Sequence, residues 1–267
     1  MKILHSVIGI IALSAVASSC CKAPAGQPEN NMKHLLLATA WFQQSAEMRA
    51  CYYQSYTLAK MALKENQQNY KGTKPMAVVL DIDETVLDNS PFEAKLMGDR
   101  QNYSDSAWME WSARCEAQAL PGAAEFIAYA RELGVEVFFI SNRILEERER
   151  TLRNLASAGM AVDSAHLLLY DLSKGTSCKD ERRDLVSETH EIILFIGDNM
   201  SDYTSLFDRR DSRLALHLAD SLREDYGRKF IILPNPMYGE WENAIYGHNY
   251  KLPMAEKNRM MLDLLRK

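Results

Sequence analysis

The 267-residue chain has no basic run or cluster, no internal repeat and no low-complexity tract. The first absence argues against a nucleic-acid surface, which needs lysine and arginine gathered on one face. The formal net charge of −5 points the same way. The second argues against repeat architectures, and the third against low-complexity segments. Cysteine is sparse: Cys51, Cys115 and Cys178 lie far apart in a spacing that does not suit a zinc site, pairing among them is open but unassigned by sequence, and buried free thiols are the default. Apart from the N-terminus, no long apolar run is present. The length suits one large domain, or a core domain with a smaller lobe.

The N-terminus is read as processed rather than folded. "MKILHSVIGIIALSAVASSC" carries Lys2, an apolar stretch from Ile3 to Val16 and small residues before Cys20. That is a secretory signal, too short to span a bilayer by preference. A cysteine directly after Ala17-Ser18-Ser19 resembles the bacterial lipoprotein processing site, with Cys20 as the lipidated residue and Cys21 as the alternative. Residues 1–20 are thus expected to be a lipoprotein signal peptide, residues 21–31 a polar, proline-bearing tether, and residues 32–267 a single domain.

From Lys33 to Asn66 proline and glycine are absent, and Leu36, Ala40, Ala46, Ala50, Tyr53 and Leu58 recur at helical spacing. One long helix, or two in line, is predicted. "MAVVLDID" is a short continuous apolar run, as in a strand buried on both faces. Strands and helices then alternate: "PGAAEFIAYARELG", "VEVFFISN", "LEERERTLRNLASAG", "HLLLYD", "CKDERRDLVSETH", "EIILFIGDN". Another helix is predicted to start at "SDYTSLF". Such alternation means an α/β fold, a parallel sheet with helices on both faces and ligands beyond the carboxyl ends of the strands. The insertion between Asp81 and Ser141 is too long for one crossover helix. With the N-terminal helices it forms a small helical cap lobe, from about 32–68 and 91–119.

Three of these strands end in polar residues: Asp81 and Asp83, then Ser141 and Asn142, then Asp198 with Asp202 four residues on. Lys179 sits in the crossover between the second and third, with Lys174 as the fallback. Crowded carboxylates are untenable alone, and either protonate or share a cation. Oxygen-only donors suit a hard divalent ion, Mg²⁺ where phosphate completes the shell. Glu84, Asp88 and Asn89 are read as loop and capping residues, and Arg143 as pairing at the surface.

"DIDETVLDNS", "FISNR", the lysine of "SCKDERR" and "GDNMSD" resemble, in order, the four motifs of the haloacid dehalogenase superfamily. "ATAWFQQSAEMRACYYQSYTLAK", "LPGAAEF" and "LPNPMYGEWENA" further resemble the class C acid phosphatases, the outer-membrane lipoprotein 5′-nucleotidases. The resemblance implies a haloacid dehalogenase-like (Rossmann-like) sheet and a Mg²⁺-dependent phosphatase of nucleoside 5′-monophosphates, nicotinamide mononucleotide among them. It implies Asp81 as nucleophile and Asp83 as acid/base, with Ser141 and Asn142 gripping phosphate and Lys179 offsetting charge. The metal would be held by Asp81, Asp198 and the Asp83 carbonyl, with Asp202 reaching it through water. Trp108 and Tyr238 would sandwich the base, while Trp111 and Trp241 are assigned to the core. An outer-membrane or cell-surface lipoprotein and a homodimer through the helical lobe are also implied. A broad phosphatase of sugar or aryl phosphates, or a lipoprotein that binds without turnover, are the alternatives.

Overall fold

The computed structural model describes residues 33–99, 101–249 and 251–265. The expected signal peptide, Cys20, Cys21 and the tether lie outside the described residues. The elements run α1 (Lys33–Gln44), α2 (Ala46–Asn69), β1 (Met76–Leu80), β2 (Leu87–Asp88), α3 (Ser90–Gly98), α4 (Asp105–Arg114), β3 (Gln118–Ala119), α5 (Ala123–Glu132) and β4 (Glu136–Ile144). They continue with α6 (Arg148–Ser157), β5 (Leu167–Tyr170), α7 (Asp180–Thr189), β6 (Glu191–Gly197), α8 (Ser212–Ser221), β7 (Phe230–Ile232), α9 (Glu240–Ile245) and α10 (Met254–Leu264). Among the described residues no helix is long and apolar enough to cross a membrane.

Five strands form one parallel sheet in the order β5-β4-β1-β6-β7. The apolar runs in β1 and β4 follow from their place inside it, covered on both faces. Alternate residues divide between two cores. Val78, Leu80, Val137 and Phe139 join the larger cluster with Tyr56 and Phe126. Ala77, Val79, Phe138 and Ile140 pack with Val186 of α7 in the smaller one. The chain leaves β1 toward β4 and β5, then returns to the far side of β1 for β6 and β7. In open α/β sheets such a reversal marks the place, beyond the carboxyl end of β1, where ligands bind. The insertion supplies α3 and α4, and its ends pair as the β2–β3 ribbon.

Two local readings are corrected. The N-terminal segment forms two helices, the second of the two alternatives, and what changes is its apolar stripe: at Ser45 an extended backbone (ψ 139°) and a side chain accepting from the Met48 N–H cap a new helix. The break resets the helical phase. Leu36, Ala40, Ala46, Ala50, Tyr53 and Leu58 are exposed, while Leu35, Phe42, Met48, Tyr52, Tyr56, Ala59 and Leu63 are buried. The segment after Asp198 forms two short 3₁₀ turns, Met200–Asp202 and Ser205–Phe207, rather than the start of an α-helix. Asn199 and Thr204 each cap the start of a turn, their side chains accepting from the Ser201 and Leu206 N–H groups.

Candidate active site

The site begins where β1 runs out. The Asp81 N–H extends the ladder to Ile196 O (3.0 Å), and the alternation of the strand puts its side chain on the α7 face. The chain then folds tightly. The Val86 and Leu87 N–H groups both reach Ile82 O at 2.9 Å, and Glu84 takes a left-handed conformation (φ 56°). Two tyrosines one helical turn apart on α2 hold this loop: Tyr52 donates to Glu84 O, and Tyr56 to Thr85 O at 2.7 Å. Glu84 is fully buried, and its Oε1 accepts the Asn89 N–H at 2.7 Å. Burial raises its carboxyl well above the ordinary range, with Asp83 and Asp198 adding to the effect.

Lys179, the residue before α7, extends its buried ammonium to Asp81 Oδ1 (2.5 Å) and Asp202 Oδ1 (2.7 Å). Burial alone pulls a lysine toward the neutral form; here Asp202 and Asp81 outweigh it and hold the ammonium charged. Burial also pushes the Asp81 carboxyl up to about 7, against the pull of Lys179 and with Asp202 and Asp83 adding to the rise. Lys174 is an exposed residue paired with Glu181, so Lys179 is the lysine that reaches the acids.

Asp198 follows β6. Its Oδ1 accepts from Thr85 Oγ1 (3.2 Å) and its Oδ2 from Asn235 Nδ2 (2.9 Å). Burial lifts its carboxyl well above the ordinary range, as do the charges of Asp202 and Asp81. Asp202 Oδ2 accepts the Asn199 N–H at 3.0 Å, so both its oxygens are engaged within the protein. Gly197 makes that packing possible, because a Cβ there would lie 2.2 Å from Asp202 Oδ2. Asp81, Asp198 and Asp202 offer carboxylate oxygens within 4.8 Å of one another. This oxygen-only triad fits a hard divalent cation, whose charge would offset the carboxylates that Lys179 alone leaves uncompensated.

Ser141 and Asn142 belong to the last turn of the pleat in β4. Ser141 is buried, accepts the Arg143 N–H (3.1 Å), and its hydroxyl stands 3.4 Å from Asp83 Oδ2. Asn142 is exposed and its Oδ1 accepts from Arg182 Nη2 at 2.7 Å. Arg143 does not pair at the surface. Its side chain is 1% exposed and forks onto Asp83, with Nη2 2.7 Å and Nε 3.1 Å from Oδ1. Asn89 is likewise more than a capping residue, since its Nδ2 donates to Asp83 Oδ1 at 2.8 Å. Asp88 does cap, accepting the Ser90 N–H.

Trp108 is partly buried on α4, with its indole N–H donated to Glu147 Oε1 (3.0 Å) and the Arg143 guanidinium 5.3 Å from its ring. Tyr238 is partly buried against the main core. Among the described residues no ring contact joins Trp108 to Tyr238. Trp111 is core, donating to Asn89 Oδ1 at 2.9 Å and stacked on Phe92. Trp241 is not: it is 49% exposed and donates to Tyr238 O, because the short helix α9 lies at the surface. Cys51, Cys115 and Cys178 are free thiols as expected, but only partly buried.

The sequence reading missed Thr85, Asn235, Arg182 and Arg183. Arg182 bonds Ser141 O (2.5 Å) and Ser177 O (2.8 Å), while Arg183 bonds Ser201 O and Asp202 O. Nothing in "DERR" distinguishes these buried clamps from a solvated face. Asn235 carried a usable signal, an Asn-Pro pair three residues past the end of β7.

A parallel sheet whose central strand ends in two aspartates, flanked by a hydroxyl, a lysine and two further acids, defines a haloacid dehalogenase-like protein. The sequence profile described as HAD superfamily, subfamily IIIB (Acid phosphatase) matches residues 8–241, and the chain belongs to that family. Among solved structures it is similar to the class C acid phosphatase from Bacillus anthracis with tungstate bound, with a TM-score of 0.84 and 39% identity over 89% of this chain and 99% of that one. Among curated proteins, the Stem 31 kDa glycoprotein of Glycine max is 27% identical over 60% of this chain and 58% of its own length. Acid phosphatase 1 of Solanum lycopersicum is 28% identical over 60% of this chain and 57% of its own. The chain therefore spans less than two thirds of the length of these curated relatives.

Proposed function

We propose that the protein is an Mg²⁺-dependent phosphomonoesterase that hydrolyses nucleoside 5′-monophosphates through an aspartyl-phosphate. The observation that carries this reading is the Lys179 ammonium shared between Asp81 and Asp202, with Asp198 completing a compact acidic triad. A binding protein has no need of a carboxylate nucleophile held beside a charged lysine.

Asp81 and Asp198, with the Asp83 carbonyl, would hold the ion, and Asp202 would support it from behind. When bound, the ion supplies positive charge that lets a carboxylate approach a phosphate dianion. An Asp81 oxygen attacks phosphorus, the P–O ester bond breaks, and its electron pair leaves with the ester oxygen, which takes a proton from Asp83. Water then attacks the aspartyl-phosphate and gives a proton to Asp83. The bond between phosphorus and Asp81 breaks, restoring the carboxylate and releasing inorganic phosphate. Ser141 and the Asn142 N–H grip phosphate oxygens, and Lys179 offsets the charge on Asp81 and the transferring group.

Trp108 and Tyr238 provide flat faces for the base, which accept many rings without reading them. The leader is the support for export and for anchoring at Cys20 in the outer membrane or at the cell surface. Family resemblance is the support for a homodimer. Phosphate release from adenosine 5′-monophosphate, nicotinamide mononucleotide and glucose 6-phosphate, with and without chelator, tests the reading. Release that is selective for the two nucleotides and abolished by chelator is expected. Equal rates on all three would remove the base-sandwich role, and no release at all would leave a binding protein.

A further inference from the structure

The Asp83 carboxylate is held unevenly. Its Oδ1 accepts from Arg143 Nη2 (2.7 Å), Arg143 Nε (3.1 Å) and Asn89 Nδ2 (2.8 Å), whereas its Oδ2 has only the longer contacts with Arg143 Nε (3.2 Å) and Ser141 Oγ (3.4 Å). Both strong donors are themselves pinned from behind. The Asn89 amide oxygen takes the Trp111 indole N–H at 2.9 Å. Arg143 donates to Thr151 Oγ1 on α6 (3.3 Å) and lies against the Trp108 ring on α4. Asp83 is the carboxylate that pairs with Arg143, a cation whose side chain is 1% exposed against 19% for the acid. A buried guanidinium without its partner is costly, and its planar fork fixes orientation as well as charge.

We propose that Arg143 is the positioning residue of the acid/base step: it saturates Oδ1 of Asp83, so that Oδ2, beside Ser141, hands the proton to the departing ester oxygen. Two acids separated by a single residue, Ile82, are thereby kept in different roles. Asp81 is bound to Lys179 for attack, and Asp83 to Arg143 for proton transfer. The inference rests on the acid/base reading of Asp83, and its test separates the two.

Help with proton transfer matters for an alkoxide leaving group and little for p-nitrophenolate, which departs unprotonated. The kcat/KM values for adenosine 5′-monophosphate and p-nitrophenyl phosphate are therefore measured for wild type, Arg143→Gln and Asp83→Asn. Arg143→Gln is expected to lose roughly 10-fold or more additional kcat/KM on the nucleotide than on the aryl ester, within the range general acid catalysis supplies. Equal losses on both substrates, in a variant that melts cooperatively, would overturn the positioning role. If Arg143→Gln does not fold, Arg143→Lys, which keeps the charge and loses the fork, is judged by the same ratio. A selective loss in Asp83→Asn beside a uniform loss in Arg143→Gln overturns the inference alone. A uniform loss in Asp83→Asn overturns the reading of Asp83, and the inference with it.

Discussion

Glu93 shows how one carboxyl can set a pH dependence without entering the chemistry. It lies on α3, where burial pushes it up to about 7, with the charge of Glu242 on α9 adding to the rise. A carboxyl raised in the folded state contributes stability while it stays neutral. That contribution is complete below the ordinary value of 4.5 and is lost as pH rises through about 7. Glu93→Gln removes the ionisation and keeps the shape. Thermal melts should therefore find the variant close to wild type at pH 4.5 and higher at pH 8, by about 2–4 °C for each kcal/mol that ionising the buried carboxyl costs. A variant that melts below wild type at pH 8 would mean that the ionised carboxylate has a partner after all.

Among the elements, α7 does the most to assemble the site. Lys179 sits at its start, Arg182 ties β4 to the Ser177–Cys178 turn, and Arg183 holds the 3₁₀ turn that carries Asp202. Arg182→Met leaves the Ser141 and Ser177 carbonyls without that donor and frees Asn142. It should lower kcat/KM on the order of 10²-fold, the cost of a small misplacement in a site of this kind. Far-UV circular dichroism should be unchanged. Wild-type kcat/KM in this variant would show that Lys179 is placed without the clamp.

The same element shows what sequence could tell. The strands β1, β4 and β6 were legible from their apolar runs, and Asp81, Ser141 and Asp198 from the polar residues that interrupt those runs, although β4 continues to Ile144 beyond Ser141. The inward phase of α2 was not, because it depends on the break at Ser45 and on carbonyls of the loop after β1, to which Tyr52 and Tyr56 donate. Arg143, Arg182 and Arg183 were read as solvated or left unread. A buried arginine is identified by partners far along the chain, Asp83 for Arg143 at a separation of 60 residues.

At the scale of the whole molecule, the reversal of strand order about β1 is what brings these residues together. Acids separated by more than a hundred positions, Asp81 and Asp202, meet on one ammonium. Helix α4 contributes Trp108 and Trp111, and the tyrosines of α2 hold the loop after β1. The central claim is that this convergence makes Asp81 a nucleophile. The most direct measurement is acid-quenched turnover followed by borohydride reduction, which converts an aspartyl-phosphate to homoserine, read by peptide sequencing. The account predicts homoserine at position 81, in a substrate-dependent manner, and none in folded Asp81→Asn. Reduction at another carboxylate, or none at all during demonstrated turnover, would contradict it.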